Sequence, residues 1–198
     1  MIELFTLFPD RLNLNGDQAN LLVLRKRLEW NGIESRIIAV NSPEDLERLQ
    51  EEFTKQPKGK FLLVGHGSAA AMASFSQHAN EIRNSVCELA RAGMPGLAVG
   101  SGYELLQPSF TRGERLSDYA NVEAAGELPG AFGYINTDTD LQPLAKLGAN
   151  FLVTLIHGPV LARTPELADL FIERMGEKAD SNGRSLEVDA LADAANKL

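Results

Sequence analysis

Three short segments of the chain combine glycine with residues that could take part in acid–base or nucleophilic chemistry. They are Gly65-His66-Gly67-Ser68, Gly100-Ser101-Gly102-Tyr103 and His157-Gly158-Pro159. Each follows a short apolar run with the character of a strand. Because ligands of open α/β sheets bind outside the carboxyl ends of the strands, we expect the three segments to contribute to one site.

The segment Leu97–Leu106 has the pattern of a nucleophile elbow, in which a sharp turn between a strand and a helix exposes one side chain. A short apolar strand leads into Gly100-Ser101-Gly102, and a helical start follows. An ordinary strand-to-helix turn, where glycine only relieves backbone strain, has the same spacing. From spacing alone, that simpler interpretation is favoured.

The three histidines of the chain are far apart in sequence. His157 directly follows the apolar run Phe151–Ile156 and could act as a general base toward a residue on a neighbouring strand. A hydrogen-bonded loop histidine is the simpler interpretation for His157, and also for His66, while His78 is predicted to be solvated on a helix. None has the i, i+4 spacing of a metal ligand pair, so we predict no metal site and no cofactor.

The elements that must position these residues alternate between short apolar strands and helical patterns. Strands are predicted at Met1–Leu7, Ile33–Val40, Lys60–Val64, Gly96–Val99 and Phe151–Ile156. Helices are predicted at Asp17–Trp30, from Ser42 onward, at Ala70–Ala92, from Thr164 to about Met175, and at Ser185–Leu198. Because the strands are apolar throughout, the pattern predicts an α/β fold with a mostly parallel central sheet flanked by helices.

Two polar stretches carry weaker signals. In the region Leu106–Gly148 only Ala131–Ile135 resembles a strand, and Thr137–Asp140 is interpreted as a polar turn rather than a cation site. The basic triplet Arg25-Lys26-Arg27 is interpreted as a solvated helix face, with a partner contact as the alternative.

Length and composition exclude several classes of protein. The 198 residues are expected to form a single domain, 1–198. The net charge of −8 argues against a nucleic-acid partner, and no apolar run approaches the roughly 18 residues of a membrane helix. One cysteine, Cys87, excludes a disulfide framework, and the start Met1–Phe5 lacks the basic region of a signal peptide. We therefore expect a cytoplasmic protein without a membrane partner.

Six segments that run in order through most of the chain match a known pattern. They are Leu12–Asn20, Leu24–Arg27, Asn31–Ile33, Gly93–Leu97, Gly102-Tyr103 and Thr154–Leu161. Together they resemble the class I glutamine amidotransferase family, and most closely the amidotransferase subunit of lipid II isoglutaminyl synthase, which is related to the cobyric acid synthase-type enzymes. The resemblance implies the α/β fold of that family, and it implies that His157 stands at the position of the catalytic histidine.

The chain departs from this family at the position of the nucleophile. Active members attack the glutamine amide with an elbow cysteine, and by its spacing from Leu97 and Tyr103 that position is Gly100 here. Glycine has no side chain and cannot form the thioester. Ser101 and Glu104 also replace the family's residues, and the stretch between the elbow and the histidine is shorter. The resemblance therefore predicts a subunit that has lost glutaminase activity.

What such a subunit would bind is also implied by the resemblance. The expected partner is a Mur-ligase-like synthetase that amidates a peptidoglycan precursor. The expected ligand is glutamine or a related amide, in a pocket formed by Gly65, His66, Gly67, Gly102 and Tyr103. Two alternatives stay open: an active amidase or hydrolase that uses Ser101 as its nucleophile with His157, and a binding module that reuses the old glutamine pocket for a small molecule.

Overall fold

The computed structural model describes residues 1–179 and 183–197, and its described residues form nine strands and eight helices. The strands are Ile2–Leu7 (β1), Ser35–Val40 (β2), Lys60–Val64 (β3), Gly96–Val99 (β4), Arg112–Val122 (β5), Ala131–Thr139 (β6), Leu144–Lys146 (β7), Phe151–Thr154 (β8) and Ile156–His157 (β9). The helices are Ala19–Trp30 (α1), Pro43–Lys55 (α2), Ala69–Ser74 (α3), Ala79–Arg91 (α4), Ser101–Leu106 (α5), Val160–Arg163 (α6), Pro165–Arg174 (α7) and Gly183–Ala195 (α8).

The central sheet has six strands in the order β2-β1-β3-β4-β8-β7. The first five pair in parallel, and β7 pairs with β8 antiparallel. Every residue of β3, β4 and β8 is buried, because the sheet is covered on both faces, which explains why these strands are apolar without alternation. The predicted α/β fold with a mostly parallel sheet is confirmed.

Local signals placed several element boundaries correctly. Strands β3 and β4 have the predicted bounds, and α2 starts where Ser42 was expected to cap it. The Ser42 hydroxyl accepts a hydrogen bond from the Asp45 amide at 3.2 Å, and Pro43 occupies the first turn. These positions are set by short-range chemistry, which is why the sequence predicts them.

Two predicted elements are wrong because tertiary contacts interrupt them. The helix expected over Ala70–Ala92 is two helices, α3 and α4, separated by a turn in which Phe75 is buried against Phe8 with ring centroids 4.6 Å apart. The strand expected over Phe151–Ile156 ends at Thr154. The next strand, β9, leaves the central sheet and pairs with β6 instead.

The middle of the chain forms a second sheet in the order β5-β6-β9, and β5 was not predicted. Nine of its eleven residues are exposed, so it lacks the apolar periodicity of a half-buried strand. The expected polar turn at Thr137–Asp140 is also wrong. Its first three residues belong to β6, where Thr137 is buried on the inner face.

The basic triplet of α1 is only partly solvated. Lys26 is exposed and pairs with Glu29, but Arg27 is only 5% exposed and bonds both Asp169 and Asp189. Its guanidinium joins α1 to α7 and α8, which corrects the interpretation of this residue as a solvated one. The predicted last helix is present as α8, and Leu198 lies outside the described residues. Over the ranges 1–179 and 183–197, no helix is long and apolar enough to cross a membrane.

Candidate functional site

The structure brings the three glycine-containing segments together at one edge of the central sheet. They follow β3, β4 and β8, which are neighbours in the sheet, so their carboxyl ends lie side by side. The rings of His66 and His157 meet edge to face with centroids 4.6 Å apart. Gly100 faces both rings, since a Cβ atom placed on it would collide with each of them.

The turn at Gly100 has the geometry of an elbow. Its φ of 53° and ψ of −117° are a combination that side-chain-bearing residues adopt only under strain. The Gly100 amide donates to the Thr154 carbonyl at 2.8 Å, and its carbonyl accepts the first helical hydrogen bond of α5, from Glu104 at 3.0 Å. The chain thus turns sharply from strand to helix at a single residue, as in a nucleophile elbow.

The space above the elbow is filled by the two histidines. A Cβ atom placed on Gly100 would lie 2.4 Å from Nδ1 of His66 and 2.9 Å from Cε1 of His157. Side-chain carbons do not approach other atoms this closely. The imidazole of His66 therefore occupies the volume that an elbow side chain would need.

His66 also accepts a hydrogen bond from the backbone amide that follows the elbow residue. The amide of Ser101 donates to Nδ1 of His66 at 2.9 Å. In elbow enzymes, the amide that follows the nucleophile helps to form the oxyanion hole. Since Nδ1 accepts this bond, the proton of the neutral ring sits on Nε2. Burial, together with the neighbouring His157, lowers the pKa of His66 to about 4, so the ring is neutral near pH 7.

Both ring nitrogens of His157 are already engaged. Nε2 lies 3.2 Å from the carbonyl oxygen of Asn136, and because a carbonyl only accepts, Nε2 donates. Nδ1 then accepts from the side-chain amide of Asn15 at 2.9 Å. The ring presents the carbon Cε1 to Gly100. A general base needs a free nitrogen within hydrogen-bond reach of the proton it removes, and this orientation offers none toward the elbow.

Asp17 is a buried carboxylate of this site that the sequence analysis did not single out. It is fully buried, and its Oδ2 accepts from the His66 amide at 3.1 Å. Burial raises the pKa of the Asp17 carboxyl, while its backbone hydrogen bonds and the nearby His157 oppose that shift. The sequence offered one signal for Asp17: it lies within the family-like segment Leu12–Asn20, just before α1.

Ser101, the predicted alternative nucleophile, points its hydroxyl at the loop after β3. Its Oγ accepts from the Gly67 amide at 2.8 Å and donates to the Gly67 carbonyl at 3.1 Å. A hydroxyl whose proton is given to a carbonyl is not activated by a base. The role of Ser101 as a nucleophile stays a prediction, and its hydrogen bonds weigh against it.

The remaining predicted pocket residues serve close packing in this structure. A Cβ on Gly65 would lie 2.0 Å from the Leu12 carbonyl oxygen, and one on Gly102 would lie 2.7 Å from the Val64 carbonyl oxygen. Tyr103 is only 1% exposed and belongs to the hydrophobic core, where burial raises its pKa. Their contact with a ligand stays a prediction. Among residues 1–179 and 183–197, no group of three or more metal-binding side chains is assembled.

Comparison with known proteins finds a sequence relative and a structural neighbour that both act on glutamine by name. No protein-family model matches the chain. It is 23% identical to the lipid II isoglutaminyl synthase (glutamine-hydrolyzing) subunit GatD of Staphylococcus aureus (strain N315), over 235 aligned positions that cover 99% of this chain and 93% of that protein. A structural match is the glutaminase domain of Trypanosoma brucei CTPS with bound acivicin, with a TM-score of 0.53, 9% identity, and coverage of 89% of this chain and 93% of that one.

The chain has the fold of the class I glutamine amidotransferases. Its resemblance to this family, found in the ordered segments of the sequence, is confirmed by the full-length similarity to GatD. The alignment with GatD is longer than the 198 residues of this chain, so GatD carries segments that are absent here. That these segments lie between the elbow and His157 stays a prediction.

The pKa of His66 gives a direct test of how the site is filled. We expect its imidazole resonances in a two-dimensional NMR titration to shift only near pH 4. Because the unfolded chain would take up this proton near pH 6.5, the free energy of unfolding should fall as the pH drops from 6.5 to 4. The variant His66→Ala should lose this part of the pH dependence. A ring that titrates near 6.5 would show that His66 is solvated and does not fill the elbow.

Proposed function

We propose that this chain is a glutamine amidotransferase-like subunit that does not hydrolyse glutamine and acts by binding a partner. The similarity to GatD over nearly the whole of both chains supports a role as a subunit in the amidation of lipid II. The family resemblance supports a Mur-ligase-like synthetase as the partner, in the cytoplasm.

One observation carries the loss of activity: Gly100 supplies no nucleophile, and the His66 imidazole stands in its place. Glutamine hydrolysis by this family needs a sulfur that attacks the side-chain amide and a donor that stabilises the resulting oxyanion. Here the sulfur is absent and the Ser101 amide is hydrogen-bonded to His66. Removal of the covalent nucleophile costs roughly 10⁶-fold in rate in a well-studied hydrolase.

The orientation of His157 supports the same proposal. Its two nitrogens are held by Asn15 and by the Asn136 carbonyl, so it cannot take a proton at the elbow without giving up one of these bonds. In the active members of the family, the histidine acts as a general base toward the cysteine thiol. In this chain the same position is used to tie the first loop to β6.

Ammonia release from glutamine tests this function. We expect the purified chain, alone and with a Mur-ligase-like synthetase, to release ammonia no faster than buffer, while the GatD subunit of S. aureus serves as the positive control. Release at a rate comparable to that control would contradict the proposal. If slow release is observed, Ser101→Ala separates the alternatives: an unchanged rate removes Ser101 from the mechanism, and its loss would favour the amidase.

The partner role is tested separately, with ammonium as the nitrogen source. We expect the synthetase to amidate its substrate faster with this chain than without it when ammonium is supplied, and not to use glutamine. If the synthetase amidates its substrate at the same rate with and without this chain, the partner role is contradicted. A thermal-shift series with glutamine, glutamate and related amides examines the binding module: a concentration-dependent shift would favour it.

A further inference from the structure

The outer edge of β5 is open. This eleven-residue strand pairs with β6 on one side, and the described part of the chain places no strand on its other side. Unpaired amides and carbonyls along an edge form a template for a strand of another chain. The feature is separate from the elbow site and does not depend on the proposed loss of activity.

The first part of β5 is protected against such pairing. Its register with β6 is irregular between Arg112 and Leu116, and an irregularity of this kind bends the strand. The charged residues Arg112, Glu114 and Arg115 lie on this part. Bulges and charges are the devices by which edge strands avoid pairing, so this part is not expected to bind another strand.

The second part, Leu116–Val122, has no irregularity and one charge, Asp118, whose carboxylate accepts a hydrogen bond from the Tyr119 amide at 2.7 Å and would have to release that amide when another strand pairs here. Each of its seven residues pairs with β6 in regular register, and Asp118 is its single charged side chain. Two large side chains are open to solvent here, Leu116 at 50% and Tyr119 at 58% exposure. Tyr119 is held in place by stacking on Phe132 at 5.7 Å, so it is presented as a fixed ring.

We propose that the segment Leu116–Val122 pairs antiparallel with the same segment of a second copy of this chain, with Tyr119 on the two-fold axis. In this register Leu116 faces Val122 of the second copy, Ser117 faces Asn121, Asp118 faces Ala120, and the two Tyr119 rings meet. Two apolar pairs, two polar pairs, two pairs of Asp118 with Ala120 and one aromatic pair result, and no like charges stand directly opposite each other. This self-complementarity is what a two-fold interface requires.

The pairing would join the two copies through one continuous six-stranded sheet. In each copy β5 pairs with β6, and β6 pairs with β9, which carries His157. The Asn136 carbonyl that holds His157 also belongs to β6. The second copy would therefore extend the sheet that forms one wall of the elbow site.

Light scattering after size exclusion, over a series of concentrations, tests the proposal. The wild-type chain is expected to shift from monomer to dimer mass as its concentration rises. The variant Ser117→Lys with Asn121→Lys, and its matched counterpart Ser117→Glu with Asn121→Glu, should each dimerise roughly tenfold more weakly, because each places like charges opposite. Both positions are exposed, and circular dichroism should confirm that both variants remain folded.

Mixing the two variants tests the register itself. A lysine chain and a glutamate chain place opposite charges at both facing positions, so the mixture is expected to regain dimers at least as stable as those of the wild type. A wild-type chain that stays monomeric at every concentration would overturn the proposal. Charge variants that dimerise like the wild type, or a mixture that stays monomeric, would equally overturn it.

Discussion

The variant Gly100→Cys is expected to gain no glutaminase activity and to be less stable than the wild type. A Cβ at this position would lie 2.4 Å from Nδ1 of His66, so either the new side chain or the imidazole must move. The backbone adds to the cost, because a non-glycine residue at φ 53° is strained by about 1–3 kcal/mol. Urea denaturation and an ammonia assay measure the two effects.

Removal of the imidazole is expected to reverse part of this loss. The double variant Gly100→Cys with His66→Ala removes the closest clash and frees the Ser101 amide, so that only the 2.9 Å approach of His157 Cε1 must relax. We expect it to be more stable than Gly100→Cys alone and to carry a thiol that reacts with iodoacetamide. Intact-mass spectrometry reports the adducts.

Two controls make this result specific. Cys87, the one natural cysteine, is half-buried and burial raises the pKa of its thiol, so all variants are made in a Cys87→Ser background. His66→Ala without the new cysteine should show no labelling. If Gly100→Cys alone is as stable and as reactive as the double variant, His66 does not fill the elbow and the central argument for a silent site is lost.

The second large effect concerns the buried guanidinium of Arg27. It bonds Asp169 at 2.9 Å and Asp189 at 2.7 Å, and its side chain is almost fully buried. Arg27→Met would leave two carboxylates facing each other without a cation. Breaking a buried ion pair costs 3–5 kcal/mol, and we expect about 3 kcal/mol here because the acids are partly exposed.

Thermal unfolding measures this change, at about 2–4 °C for each kcal/mol in a chain of this size. The matched control is Lys26→Met, the neighbouring residue on α1, whose exposed pair with Glu29 should contribute less than about 1 kcal/mol. Equal losses for the two variants would show that the Arg27 cluster does not stabilise the attachment of α8. A selective loss would establish that this cluster holds the three helices together.

The sequence predicted those parts of the fold that depend on neighbours along the chain. The bounds of β3 and β4 follow from continuous apolar runs, and the start of α2 follows from the Ser42 cap. That Gly100 stands at the family's nucleophile position stays a prediction, while its lack of a side chain is a property of that one residue. These features need no knowledge of distant contacts.

Tertiary structure decided what depends on residues far apart in the chain. Arg27 became buried because Asp169 and Asp189 meet it from two other helices, and β5 formed although its residues lack a strand's apolar period. His66, interpreted from the sequence as an ordinary loop histidine, fills the elbow because β3 and β4 are neighbours in the sheet. A side chain's own chemistry is written in the sequence, but its burial and its partners are set by which strands and helices pack together.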